Sequence, residues 1–190
     1  AAVEAVRPGC IWLAETVHRG FGAYCRREGF TSARDTEMYE AFDIEYEYDV
    51  RDAFDRYLRG EGTLSHWLDL LCFQDTVYPV NYNKLRFLEN HDQPRIASFV
   101  PSESDLANFT AMLYFLKGTT LVYAGQEFEN AHTPSLFERE PIDRATGRDL
   151  SGLMTNLYRI KRRVRRGRQT RRNRSSGRCS AAAREPSAFW

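Results

Sequence analysis

An α/β fold of parallel strands joined by helical crossovers is predicted by three observations along the 190 residues. Short apolar runs alternate with segments of helical periodicity, each run ends in polar side chains, and Gly, Pro or a capping residue separates the segments. Such an order implies parallel pairing with right-handed connections.

Taken in order, Ala1 to Arg7 reads as the end of a helix, and Ile11-Trp12-Leu13-Ala14 as a first strand closed by Glu15. Arg19 to Glu40, rich in Gly, Arg and Asp, is expected to be a loop, and Tyr39 to Glu45 a second strand. Val50, Phe54, Tyr57 and Leu58 then recur at helical spacing, and Leu64, Trp67, Leu68 and Leu71 resume it after Gly60-Glu61-Gly62, so two short helices fit. The apolar Leu85 to Leu88 marks a third strand over Lys84 to Asn90. Ser102, followed by an acidic residue three positions on, is an N-cap signal for a helix with Leu106, Phe109, Leu113 and Leu116 on one face and Gly118 as its stop. Thr119 to Ala124 supplies a fourth strand, and Leu150, Leu153, Leu157 and Ile160 share one side of a last helix that reaches Lys161.

Composition bounds the function. Hydrophobic content of 42% and aromatic content of 13% are enough for a globular core. No apolar run approaches the ~20 residues of a membrane span, so no membrane partner is expected. The net charge of +1 conceals two opposite segments. Residues 1–158 hold 15 basic against 25 acidic residues, a net −10, which suits a neutral substrate and argues against a nucleic-acid surface on the folded part. Residues 159–190 hold 12 against 1, a net +11. Residues 162–190 are therefore expected to form a basic low-complexity tail, disordered or non-native, because such a run cannot bury enough apolar surface to fold. Cys10, Cys25, Cys72 and Cys179 show no metal-binding spacing and read as isolated thiols.

The chemistry is concentrated where strands end. In "RFLENHDQPR" the third apolar run stops abruptly at Asn90, His91 and Asp92. Together with "CIWLAETVH" at residues 10–18 and "GTTLVYAGQEF" at 118–128, in that order, it resembles the seventh, fifth and eighth strands of the α-amylase superfamily, glycoside hydrolase family 13. The resemblance implies a partial (β/α)8 TIM barrel, residues 1–161 being its second half, with the chemistry at the C-terminal ends of the strands. A whole barrel needs about 250 residues. Since the chain opens inside a helix without a methionine, the reading expected is a fragment, with the fourth strand and its nucleophilic aspartate upstream of Ala1.

Retaining glycoside hydrolysis uses one carboxyl that gives and takes a proton and a second that attacks the anomeric carbon. Glu15, ending an apolar strand beside Trp12 and Leu13, is expected to be partly desolvated, which raises a carboxyl pKa and keeps its proton available. The resemblance makes Glu15 the general acid/base and Asp92 the fixed anion that steadies the oxocarbenium-like transition state. It makes His91 a ligand for a sugar hydroxyl; Asn90 either joins it in substrate binding or braces the strand end. Arg95 could anchor the loop or meet substrate, and Gln126 and Glu127 shape the pocket. Phe21, Tyr24 and Tyr39 could stack on sugar faces, although packing is the commoner fate of a single aromatic. Asp43, placed near the end of the second strand, lies two strands from the family's nucleophile position and is not assigned.

The substrate implied is an α-glucan or short α-glucoside, with no cofactor in this chain; the family's calcium ligands come largely from the other half. Two alternatives stay open. One is a non-catalytic superfamily member acting as a binding or interaction subunit, and the other is a nucleic-acid-binding role of the basic tail.

Overall fold

The computed structural model describes residues 2–16, 19–100 and 102–164. Four short strands, β1 (Leu13–Ala14), β2 (Ile44–Tyr46), β3 (Lys84–Arg86) and β4 (Thr119–Thr120), form one sheet in sequential order. All three pairings are parallel, with Leu13 opposite Ile44, Tyr46 opposite Leu85 and Leu85 opposite Thr119. Helices α1 (Ala2–Val6), α2 (Arg19–Arg27), α3 (Asp35–Met38), α4 (Arg51–Leu58), α5 (Leu64–Val77), α6 (Ile96–Phe99) and α7 (Glu103–Phe115) precede or connect the strands. Residues 151–164 form a last helix, α8. Strand, helix and parallel strand repeat as they do in part of a (β/α)8 barrel.

Several expected boundaries move. The segment expected to be a loop contains α2 and α3, because Phe21 and Tyr24, three residues apart, share a helix face with ring centroids 6.3 Å apart. The second strand begins at Ile44 rather than Tyr39, since α3 ends in a turn at Tyr39 and Phe42 N donates back to Met38 O. The third strand keeps its pairing only to Arg86 and the fourth only to Thr120, beyond which each chain turns toward the site. Ser102 caps α7 by accepting from the Asp105 amide, as expected. The helix ends at Leu116, however, and Gly118 serves a different need: its φ is +128° and a Cβ there would collide with the Lys84 carbonyl oxygen. Helix α8 continues three residues past 161, and the rest of the expected basic tail, 165–190 with Cys179, lies outside the described residues. Cys10, Cys25 and Cys72 are free. No helix among the described residues is long and apolar enough to cross a membrane.

Two layers meet at the sheet. The helix-side core packs Phe54, Trp67, Leu71, Leu88, Leu106 and Leu113 between α4, α5, α7 and the end of β3. The opposite, inward face carries Tyr46, Leu85 and Phe87 with Ile44, Tyr48 and Leu121 against them. Between sheet and helices lies a layer of buried charge, which an apolar reading of β3 did not anticipate. Lys84 Nζ donates to Glu45 Oε2 at 2.8 Å, both side chains fully buried, and stands 3.2 Å from Asp49 Oδ1. One step along, Arg86 pairs with Glu47 and donates to Gln74 Oε1 at 2.8 Å and to Lys117 O at 2.8 Å. These pairs satisfy each other where unpaired charge would cost several kcal/mol.

Burial pushes the Glu45 carboxyl up to about 7, against the pull of Lys84 and with Asp35 and Asp49 adding to the rise. A carboxyl that holds its proton more tightly folded than unfolded stabilises the fold most below its unfolded value, and this contribution is lost as pH rises through the folded value. Urea unfolding is therefore expected to show a midpoint that falls between about pH 4.5 and about pH 7, a slope that Glu45→Gln abolishes. An unchanged slope in the variant would assign it to other groups.

Candidate active site

Parallel pairing sends β1, β2 and β3 out of the sheet at the same end, so their C-terminal residues meet. Glu15 follows β1, Glu47 to Asp49 follow β2, and Phe87 to Asp92 follow β3. The result brings together Glu15, His91 and Asp92, 76 to 77 residues apart in sequence. His91 Nε2 lies 3.6 Å from Glu15 Oε1 and 3.4 Å from Asp92 Oδ2. All three are open to solvent, with side-chain exposures of 55% for Glu15, 42% for His91 and 45% for Asp92. The partial desolvation expected for Glu15 is thus not found. The reason is topological: β1 has β2 on one side and no described strand on the other, and Leu13 beside it is itself 45% exposed.

Asn90 behaves differently from its neighbours. It is buried, its Oδ1 accepts from the Asp92 amide at 2.9 Å, and its Nδ2 donates to Tyr48 Oη at 2.8 Å. Tyr48 Oη in turn donates to Asp92 Oδ2 across a longer 3.5 Å. The amide side chain therefore braces the turn and links it to β2. Burial, opposed by the Asn90 bond and reinforced by the Asp92 and Glu15 charges, pushes the Tyr48 phenol up to about 12. Tyr46 moves the same way, through burial and then the Glu15 and Asp92 charges. Both phenols stay protonated donors at neutral pH.

Two buried arginines hold this rim. Arg95 Nη1 donates to Glu89 Oε1 at 2.6 Å, while Nη2 reaches Ala124 O and Nε reaches His132 O. Glu89 Oε2 accepts from the Ile96 amide at 2.7 Å, so the pair ties the ends of β3 and β4 together. Burial raises the Glu89 pKa against the bonds from Arg95 and Ile96. Arg95 is thus a buried loop anchor. Arg51, from α4, donates to Leu88 O at 2.9 Å and to Asp55 Oδ1 at 2.7 Å. Neither Arg51 nor Tyr48 was found from the sequence; the signal that could have shown Tyr48 is the Tyr-x-Tyr alternation of β2, which puts both rings on the inward face.

A cleft of about 540 Å³ opens here, with Glu15, Thr16, Tyr48, Arg51, Asp92 and Gln93 among its walls. The ligand atoms of Glu15, His91 and Asp92 lie within 4.8 Å of one another, close enough to converge on one hydroxyl or one cation. No other group of three such side chains occurs among the described residues. Asp43 is elsewhere: it precedes β2 at the opposite end of the sheet, where its Oδ2 accepts from Trp12 N. Gln126 is buried in a 3₁₀ turn over Gln126–Phe128, and Glu127 Oε2 accepts from Gly125 N, so both shape the end of β4.

The family profile described as alpha amylase, catalytic domain, matches residues 12–184. The chain belongs to the α-amylase family. A crystal structure of an α-amylase from Lactobacillus plantarum is similar at 40% identity and a TM-score of 0.79, over 84% of this chain and 38% of that one. A maltogenic α-amylase from Thermotoga neapolitana is 37% identical with a TM-score of 0.59, over 72% of this chain and 28% of that one. A maltogenic amylase from S. marinus, 18% identical with a TM-score of 0.58, covers 85% of this chain and 22% of its own length and shares the fold. The chain thus spans well under half the length of these α-amylases. No curated protein matches it.

Removing the Tyr48 hydroxyl leaves the buried Asn90 Nδ2 without its acceptor. Tyr48→Phe is expected to lower unfolding free energy by about 1–3 kcal/mol in urea, with the largest amide shifts in an NMR spectrum at Asn90 to Asp92. A neutral effect on both would mean that the brace is not formed.

Proposed function

We propose that this chain carries one half of the active site of a retaining enzyme that acts on α-linked glucans or short α-glucosides. The observation that carries the reading is the convergence of Glu15 and Asp92 on His91 at the C-terminal rim of a parallel sheet. Glu15 is the general acid/base, protonating the glycosidic oxygen and then deprotonating the incoming acceptor. Its exposure leaves it free to meet a leaving group, and the first half of the barrel, beside β1, would supply the desolvation that the open β1 edge does not. Asp92, fixed through Asn90 and Tyr48, supplies negative charge where the sugar becomes cationic. His91 donates to or accepts from a hydroxyl of the same sugar. Asn90 is a positioning residue rather than a substrate ligand, because both ends of its amide are engaged inside the protein.

In this reading residues 1–161 belong to the barrel's second half and residues 162–190 to a basic tail, of which 165–190 lie outside the described residues. Asp43, the acid weighed from the sequence, stands at the other end of the sheet, and this reading places the attacking aspartate in the first half of the barrel. The chain by itself is therefore inactive, since removing one member of a catalytic unit loses most of the rate enhancement.

The test has two arms. The 190-residue chain incubated with maltoheptaose is expected to release no reducing sugar, whereas the chain preceded by the first half of an α-amylase barrel hydrolyses it. In that longer form Glu15→Gln lowers kcat by roughly 10²–10⁴-fold. Hydrolysis by the isolated chain, or full activity of the Glu15→Gln variant, contradicts the assignment.

A further inference from the structure

We infer that Asp52, in the first turn of α4, binds hydroxyl groups of the glucosyl unit on the leaving-group side of the cleaved bond, and those of a sugar that takes its place as acceptor. The inference rests on the active-site reading above and extends it from the ring that reacts to the ring beside it.

The cleft that holds Glu15, Tyr48 and Asp92 is also walled by Asp52 and Asp55 of α4. His91 and Asp92, after β3, hold the ring under attack, and Glu15, after β1, has to stand by the oxygen that departs. Strand β2 lies between these two strands. Tyr48, just past β2, is engaged with Asn90 and Asp92. Helix α4 follows, and it belongs to the outer layer, since Ala53 and Phe54 pack in the helix-side core. Asp52 therefore stands farther out than Tyr48, over the part of the cleft into which a leaving sugar extends.

Its neighbour fixes that position. Arg51 is buried, donates to Leu88 O at 2.9 Å and to Asp55 Oδ1 at 2.7 Å, and sets its guanidinium carbon 5.1 Å from the Phe87 ring centroid and 5.4 Å from that of Phe54. One side chain thus pins the first turn of α4 to the strand end that carries Asp92. Asp55 is committed to Arg51, which leaves Asp52 as the α4 acid that can accept from a ligand. A carboxylate only accepts hydrogen bonds, sugar hydroxyls donate them, and two neighbouring hydroxyls match its two oxygens. An acid in the first turn also favours the helix dipole, a role that the test has to separate from binding.

The experiment uses the longer form, in which the chain is preceded by the first half of an α-amylase barrel. Maltoheptaose puts a glucosyl unit in the leaving position, whereas 4-nitrophenyl α-maltotrioside puts a phenol without sugar hydroxyls there. Asp52→Asn is expected to lower kcat/KM for maltoheptaose roughly 10–100-fold while nitrophenol release changes by less than about twofold. Equal losses on both substrates, as a purely structural role would give, or no loss on either, overturn the inference and leave Glu15 and Asp92 in their roles. Full activity of Glu15→Gln is the separate signature of a failed active-site reading, and it removes this inference as well. If Asp52→Asn does not fold, maltose titrated into the unaltered form decides: a shift of the Asp52 carboxylate resonance supports the contact, and a stationary one overturns it.

Discussion

The paired charges between β2 and β3 are the constraint on which the rest of this structure depends. Glu45 and Glu47 alternate on one strand, Lys84 and Arg86 on the next, and the register that sets Glu45 opposite Lys84 is the one in which every buried charge finds a partner. A slip of one residue would exchange the two faces of β3, leaving Leu85 and Phe87 among the carboxylates and two cations on the inward face. Buried charge of this kind is weak as a source of stability but strong as a selector among registers. Cation contacts strengthen the choice: Lys84 Nζ lies 4.3 Å from the Tyr78 ring centroid and Arg51 Cζ 5.1 Å from that of Phe87.

Once that register is set, the rim follows. Phe87 points inward beside Tyr46 and Tyr48, with ring centroids 5.8 and 5.5 Å away, and Leu88 points into the helix-side core. Arg51 then holds the Leu88 carbonyl, Arg95 and Glu89 tie the next turn to the end of β4, and Asn90 closes that turn on Asp92. The side chains that make these ties are buried, whereas Glu15, His91 and Asp92 are exposed. Rigid support beneath solvated acids is the arrangement that lets a site present charge without reorganising.

Much of this was legible in the sequence because it depends on local pattern. The apolar runs before Glu15 and Asn90, the Ser102 cap and the Gly60-Glu61-Gly62 break all report on nearest neighbours, and the structure keeps each of them. The resemblance at the fifth, seventh and eighth strands led to the family. What was not legible depends on partners distant in the chain. Whether Glu15 is desolvated is decided by what flanks β1, and whether Asn90 is buried by Tyr48, 42 residues away. The strand ends moved because pairing, rather than propensity, stops a strand: the third strand ends at Arg86 and the chain bends at Leu88, where the Leu88 carbonyl accepts from Arg51 and the Glu89 carboxylate from Arg95. The opposite charges at 45, 47, 84 and 86, at a period of two, were a readable sign of a paired polar layer and point to the same register.

Glu15 at the end of one strand and His91 and Asp92 at the end of another are proposed to form one sugar-binding unit. Titration with maltotriose, followed by NMR at the His91 ring and at the Glu15 and Asp92 carboxylates, tests it directly. All three are expected to shift together along a single saturation curve, and His91→Ala to abolish the shifts at both acids. Shifts confined to one strand end, or none at any maltotriose concentration, would contradict it.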